Sequence, residues 1–236
     1  FEHVMVIIGG DNSWAPAAGG WGAIDGFSTA SANTNYVFSE LFFNPHQISS
    51  AASHESGHTF GLLHQSVYDA NGNQTAEYNP GDAALAPIMG VGYSTMRDTW
   101  WNGTSSASAT SIQDDLAQLT RAANRTVQYR TDDFGNTIAN AFRVPTSGPT
   151  ISVNGVLEQN SDVDMFEFET NTGTISFSVD GLNLRTRYND PALTFGTNVD
   201  LVLSLYNSSG VLVTQISPTT SLSATFSVAV GVGRHY

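Results

Sequence analysis

The sequence predicts an α+β domain, residues 1–128, followed by an all-β sandwich, residues 129–236. In the first part, short apolar runs surround one longer stretch whose apolar residues recur at helical spacing. After Thr131 the pattern changes to short segments that alternate apolar and polar residues between turn-forming clusters, which predicts strands at residues 150–157, 165–169, 174–179, 201–206 and 224–230. A chain of 236 residues is long enough for two ordinary domains.

Three short strands are expected before the main helix. Residues 4–8 are apolar and largely β-branched, which predicts a buried strand, and residues 19–27 and 35–38 are two further candidates. The residues before the first strand lack the basic flank of a signal peptide. We therefore expect the chain to begin inside the first domain.

Two helices are predicted. The first begins near Pro45 and ends near Gly61, since glycine is common just past a helix end. The second covers residues 111–123, where Ser111 and an acidic residue three positions later form a candidate capping box. Residues 65–87, rich in Asn, Gly, Pro and Ala, predict a long loop, and long loops in compact domains are usually functional.

The charge of the chain is strongly acidic. It has 21 Asp and Glu against 8 basic residues, all Arg, for a net charge of -13. Phosphate-rich surfaces repel such a chain, which argues against nucleic acids and anionic membranes as partners. No apolar run approaches the roughly 20 residues that span a bilayer. The absence of cysteine excludes disulfides and thiolate sites but does not fix the compartment. The acidic charge fits a soluble exported protein, and we expect the protein to be secreted.

One motif carries chemistry: His54-Glu55-Ser56-Gly57-His58, continuing through Gly61 to His64. Two histidines four positions apart lie on one helical face and can bind one metal ion. Gly61 permits the turn that brings His64 round as a third ligand. Three imidazoles leave one zinc position open, as in catalytic sites. The alternative is three ordinary histidines on a helix face.

Met89 lies 25 residues after His64, in a segment flanked by Pro and Gly. Together with the histidine motif, it resembles the zinc consensus and Met-turn of the metzincin metallopeptidases. The resemblance implies an α+β catalytic domain with a mixed sheet and a zinc helix, and a methionine packed beneath the imidazoles. It also implies peptide hydrolysis by a metal-activated water with Glu55 as general base.

Two features of the resemblance concern the residues around the site. Some metzincins carry a tyrosine two positions after the Met-turn methionine, but Val91 stands there, and Tyr93 is the nearest candidate for oxyanion stabilisation. The alternative for Tyr93 is packing. Metzincins also place an edge strand just before the zinc helix to bind extended substrate. Residues 35–39 are the candidate, with an interior strand as the alternative.

The second domain is similar to bacterial pre-peptidase C-terminal domains, which are jelly-roll-like sandwiches. The similar stretches are residues 155–158, 162–168 and 200–206. The resemblance implies that the chain ends before the last strands, and that this domain binds polysaccharide or matrix or serves in processing.

Two acidic pairs stand near predicted strand starts in the second domain: Asp132 with Asp133, and Asp162 with Asp164. Carboxylates so placed can form a Ca²⁺ site, and a solvated acidic surface is the alternative.

The expected function is that of a zinc-dependent endopeptidase with protein or peptide substrates. The competing hypothesis is a metzincin fold with weak or no catalysis, acting mainly as an extracellular binding or adhesion module through its C-terminal sandwich. An intact Glu55 favours the enzyme, since a purely structural zinc site needs no base.

Overall fold

A computed structural model of the chain describes residues 3–16, 18–95, 97–125, 127–145, 148–181, 199–218 and 223–236. The chain divides into two units, Phe1–Gln128 and Tyr129–Tyr236. Both contain small sheets, and the α-helices of the described residues lie in the first unit. This mixture of helix and strand agrees with an α+β first unit. No helix in the described part of the chain is both long and apolar enough to cross a bilayer.

The first unit has three α-helices and nine short strands among its described residues. In chain order these are β1 (Met5–Ile8), β2 (Gly20–Trp21), α1 (Gly26–Thr29), β3 (Thr34–Val37), α2 (Pro45–Thr59), β4 (Val67–Tyr68), β5 (Gln74–Ala76), β6 (Leu85–Pro87), β7 (Arg97–Thr99), β8 (Asn102–Thr104), β9 (Ile112–Asp114) and α3 (Asp115–Leu119). Short 3-10 turns lie at Ser39–Leu41 and Ala122–Asn124.

The main sheet of this unit is mixed and has the strand order β1-β3-β2. β3 runs parallel to β1 and antiparallel to β2. On one face of β3, Asn35 and Val37 are fully buried. Thr59, at the end of α2, donates a hydrogen bond of 2.5 Å from Oγ1 to Asn35 Oδ1. The helix therefore packs on this face of the sheet.

The order of the strands decides between two alternatives left open by the sequence. Residues 35–39 are not the edge strand, because β3 has a neighbour on each side. The edges are β1 and β2. The strand at residues 4–8 is present as β1 but is not buried, since Met5, Ile7 and Ile8 are 45–52% exposed. An edge strand has one neighbour, so apolar composition alone does not bury it.

The second predicted helix is wrong in its first half. Residues 112–114 form β9, paired antiparallel with β8, and α3 begins only at Asp115. Asp114 caps it by accepting a hydrogen bond of 3.0 Å from Ala117 N–H, in place of Ser111. Strand pairing overrides the helical spacing here, and Ile112 is 64% exposed. The predicted loop at residues 65–87 is also interrupted, by β4, β5 and β6.

Asp115 organises the polar core of the first unit and is fully buried. Its carboxylate accepts three hydrogen bonds of 2.9 Å, from Gln65 Nε2, Gln113 Nε2 and the backbone N–H of Trp101. The Gln113 amide also bonds Leu63 twice, accepting from its N–H and donating to its C=O at 2.9 Å. The two residues that flank His64 are thereby fixed to one carboxylate.

The second unit consists of short strand groups. Its elements are a 3-10 turn at Ile138–Asn140, β10 (Phe142–Arg143), β11 (Phe166–Thr170), β12 (Gly173–Val179), β13 (Leu203–Tyr206), β14 (Leu212–Ile216), β15 (Ala224–Val230) and β16 (Gly233–His235). They pair as β10-β11-β16, β12-β15 and β13-β14.

Aromatic rings link strands of different groups in this unit. Phe177 in β12 lies with its ring centroid 5.6 Å from that of Phe168 in β11 and 5.0 Å from that of Phe226 in β15. Four of the predicted strands are confirmed, as β11, β12, β13 and β15. The one predicted at residues 150–157 is absent, and this apolar-polar alternation lies exposed without a partner strand among the described residues. The jelly-roll sandwich stays a prediction.

Replacing Asp115 by Ala should destabilise the first unit by about 3 kcal/mol, because three donors lose their acceptor in a buried site. Asp114→Ala is the matched control and should cost about 1 kcal/mol, as an exposed helix cap does. Urea unfolding followed by tryptophan fluorescence measures both, since all four Trp lie before residue 129. An Asp114→Ala variant as unstable as Asp115→Ala would contradict the assignment of Asp115 as the buried anchor.

Candidate metal centre

Helix α2 presents the first two histidines. Asn44 caps it by accepting a hydrogen bond of 3.0 Å from Gln47 N–H, and Pro45 takes the first helical position, where its missing N–H costs nothing. His54 and His58 are four residues apart, so both imidazoles leave the same face. Their ring centroids are 4.8 Å apart.

Gly61 turns the chain so that the third histidine reaches the other two. It adopts a left-handed φ of 94°, which glycine takes without a Cβ penalty. Gly61 N–H donates to His58 O at 2.8 Å and Leu62 N–H donates to Gly57 O at 2.9 Å, the two bonds of a Schellman motif. This agrees with the helix end expected from the sequence. The His64 ring then lies 4.8 Å from that of His58.

Each imidazole is oriented by a hydrogen bond at Nδ1. The acceptors are Ile88 O for His54 at 2.7 Å, Leu62 O for His58 at 2.8 Å, and Glu77 Oε1 for His64 at 2.9 Å. A carbonyl or carboxylate oxygen can only accept, so the proton of each neutral ring sits on Nδ1. All three Nε2 atoms are left as bare acceptors, available to a metal ion.

Burial keeps these imidazoles neutral. It lowers the pKa of His54 to about 3, helped by the neighbouring His58, and lowers the pKa of His58 to about 4. Burial also lowers the pKa of His64, although Glu77 opposes the shift. The bond from His64 to Glu77 therefore joins a neutral ring to a carboxylate rather than two full charges.

The three histidines fit a metal ion, because their ligand nitrogens lie within 4.8 Å of one another. The Nε2 atoms of His58 and His64 are 3.1 Å apart. Two lone pairs at this distance repel unless a cation lies between them. Ligand nitrogens about 2.05 Å from a tetrahedral zinc ion are about 3.3 Å apart, close to the observed separation. The group can therefore hold a metal ion.

Glu55 directly follows His54 in α2, is buried, and is not one of the three candidate ligands. Burial raises the pKa of its carboxyl to about 7. Its position depends on a close approach to β2: a Cβ atom on Gly20 would lie 2.6 Å from Glu55 Oε1. Only glycine leaves room for the carboxylate at this point. The strand β2 and the Glu55 side chain are thus in direct contact.

Met89 is fully buried in a core cluster with Leu62 and Leu119. Its carbonyl oxygen accepts from Gln65 N–H at 2.8 Å, and the carbonyl of the preceding residue, Ile88, orients His54. The segment expected to be a Met-turn is therefore bonded to both the helix and the loop that carry the histidines. A methionine floor beneath the imidazoles stays a prediction.

Tyr93, the tyrosine singled out from the sequence, is half-buried near this site. Its ring packs edge-on against Phe42 at 5.3 Å, and burial raises its pKa to about 12, with smaller effects from Glu55 and Tyr78. Two residues that sequence reasoning missed lie closer to the ligands. Glu77 bonds His64, and the Tyr78 ring lies 4.2 Å from the His64 ring. They follow β5 at no characteristic spacing, so no sequence signal marks them.

The four aspartates proposed for calcium do come together in the second unit, with Glu158 added. They form two overlapping groups, Asp132 with Glu158 and Asp162, and Asp132 with Asp133 and Asp164. Within each, the carboxylate oxygens lie within 4.8 Å of one another. Partial burial raises the pKa of Asp164 to about 6, with contributions from the neighbouring carboxylates. A calcium ion here stays a prediction, since exposed acidic groups often cluster without one.

Comparison of the chain with protein-family models, curated proteins and solved structures finds no match. Functional assignment therefore depends on the chemistry of the site.

Replacing Glu77 by Ala should weaken zinc binding about 10-fold or more, because His64 loses the carboxylate that orients its ring and raises its basicity. Competition with a chromophoric chelator measures the dissociation constant. Glu40→Ala removes an exposed glutamate elsewhere in the same unit and serves as the control. Equal zinc affinities for the two variants would show that Glu77 does not support the ligand.

Asp164 should make the second unit less stable as pH rises. Its folded pKa, about 6, exceeds the ordinary 3.8, so its stabilising contribution is full below about pH 4 and is lost as pH rises through about 6. The measurement is thermal unfolding of the full chain in the presence of chelator, followed by far-UV circular dichroism. The transition of the second unit is the one that tryptophan fluorescence does not report, and its midpoint temperature should be lower at pH 7.5 than at pH 5.

Asp164→Asn should flatten this pH dependence, while Asp180→Asn, an exposed change, should leave it intact. If the acidic cluster binds calcium, adding Ca²⁺ at pH 7.5 should raise the midpoint of the wild type and not that of Asp164→Asn. Parallel pH curves for all three proteins would refute the role given to Asp164.

Proposed function

We propose that this chain is a zinc-dependent endopeptidase of the metzincin type. The observation that supports it most is the set of three neutral imidazoles whose ligand nitrogens lie within 4.8 Å of one another, with the buried carboxylate of Glu55 next to the first of them in the chain. A nitrogen-only set of three ligands suits zinc and leaves a coordination position open, as catalytic sites do. A structural site would take a fourth protein ligand, and the described residues bring no fourth His, Cys, Asp or Glu into this group.

A bound zinc ion would supply Lewis acidity to the scissile carbonyl and to the attacking water. In this proposal Glu55 takes the proton of that water and passes it to the leaving amine. Its pKa of about 7 in the metal-free protein reflects a partly dry environment, in which proton transfer and charge stabilisation are both more effective. The carboxylate is thus assigned proton transfer, and the three imidazoles are assigned metal binding.

A peptide substrate is favoured by the strand next to Glu55. β2 lies at an edge of the sheet, pairs with β3 on one side, and touches Glu55 through Gly20. An edge strand offers backbone N–H and C=O groups to an extended chain, which can add as a further strand. This position belongs to β2 rather than to residues 35–39, and it would bring a scissile bond close to the base.

The alternative function is binding or adhesion through the second unit on a catalytically weak first unit. It requires that Glu55 be idle, although the residue is buried beside three ligand histidines at the cost of a raised pKa. Secretion, and polysaccharide or matrix binding by the second unit, remain part of the proposal. Pull-down of the full chain carrying Glu55→Gln on polysaccharide and on collagen separates binding from proteolysis.

Glu55→Gln should retain zinc binding and lose turnover by about 10³-fold or more, because the base is removed without touching a ligand. His58→Ala should lose both zinc and activity. The assay is digestion of casein and a peptide library by the full chain, with chelator and with zinc added back. Near-normal activity of Glu55→Gln, or digestion that chelator does not affect, would contradict the proposal.

A further inference from the structure

Tyr78 lies against the metal-ligand group although no motif includes it. Its ring centroid is 4.2 Å from that of His64 and 6.0 Å from that of His54. The side chain is still 43% exposed. A tyrosine that packs on two of the three imidazoles and also reaches solvent lies at the mouth of the site.

The backbone around Tyr78 is held from both sides. Asn79 N–H donates to Gln65 O at 2.7 Å, and Ser66 Oγ donates to Glu77 O at 2.6 Å. On the other side, Val91 N–H donates to Asn79 O at 3.0 Å. The tyrosine is therefore fixed between the loop after the third histidine and the segment after Met89. The backbone hydrogen bonds on both sides fix the position of Tyr78.

The Tyr78 hydroxyl can act as a hydrogen-bond donor, because a phenol keeps its proton near pH 7. The charge of Glu55 acts on this phenol, so the two residues lie in one region of the site. Among the described residues the Tyr78 hydroxyl has no hydrogen-bond partner, which leaves it available to a ligand.

Tyr93 has a different environment. Its ring packs against Phe42 at 5.3 Å, and its hydroxyl would lie 3.7 Å from a Cβ atom on Gly19. Its backbone carbonyl accepts a hydrogen bond of 3.4 Å from Gln47 Nε2. These contacts favour a packing role beside the residue that leads into β2. Val91, two positions after Met89, has no donor in its side chain.

We propose that Tyr78 is the catalytic residue that donates its hydroxyl proton in a hydrogen bond to the carbonyl oxygen of the scissile peptide as negative charge develops there. The inference rests on the proposed peptidase function and names a residue outside the histidine motif and the methionine segment. No covalent bond to Tyr78 forms or breaks. The negative charge on the carbonyl oxygen is larger in the transition state than in the bound substrate, so the hydrogen bond from the hydroxyl stabilises the transition state more.

Tyr78→Phe tests this, since it keeps the ring on His64 and removes only the hydroxyl. We expect kcat to fall about 100-fold, as for loss of one oxyanion donor, with KM and the zinc dissociation constant changed less than about threefold. Tyr93→Phe is the matched control and should stay within about threefold of wild type in every constant. Zinc affinity is measured by chelator competition, without turnover.

A phosphinic peptide, which mimics the tetrahedral transition state, gives a second measurement. Tyr78→Phe should weaken its binding in proportion to the loss of kcat/KM, whereas binding of a cleaved product peptide should not change. Wild-type kcat in Tyr78→Phe, with active wild-type enzyme, would overturn the role of Tyr78 and leave the peptidase proposal standing. A loss of zinc affinity in Tyr78→Phe as large as its loss of activity would also overturn the role of Tyr78. An inactive zinc-loaded wild type would overturn the peptidase proposal itself.

Discussion

The first unit is arranged around three imidazoles whose ligand nitrogens lie within 4.8 Å of one another. Such a group is repulsive by itself, because burial holds His54 and His58 neutral and removes water that could separate them. A bound cation would convert this repulsion into three bonds, and the fold must hold the rings in place before it binds. The hydrogen bonds at Nδ1, two of them to main-chain carbonyls, do this without adding charge next to the helix.

Those acceptors come from segments that are themselves cross-bonded. The carbonyl of Ile88 accepts from His54 on the helix, and the carbonyl of Met89 accepts from Gln65, which follows His64. Asp115 fixes the residues on either side of His64 through two glutamine amides. A change far from the ligands can therefore move the third imidazole. Glu77, the exposed carboxylate on that imidazole, is the one acceptor that is not part of the main chain.

Local rules worked where local interactions dominate. Asn44 and Pro45 start the helix, and Gly61 ends it, because caps and left-handed turns depend on the residue itself. The same rules failed at residues 112–114, the first half of the second predicted helix, where a helical spacing competed with pairing between β8 and β9. They also failed at residues 150–157, where alternation found no partner strand. Strand formation depends on a neighbour that is distant in sequence.

What the sequence determined by itself is the candidate set of metal ligands: two histidines at helical spacing, a glycine turn, and the third histidine. Spacing of this kind becomes geometry through the helix alone. Only the tertiary structure decided which strand lies at the edge, that Gly20 touches Glu55, and that Glu77 and Tyr78 pack on His64. These contacts join segments that are far apart or irregular, so no periodic pattern encodes them. They form only when tertiary packing brings these segments together.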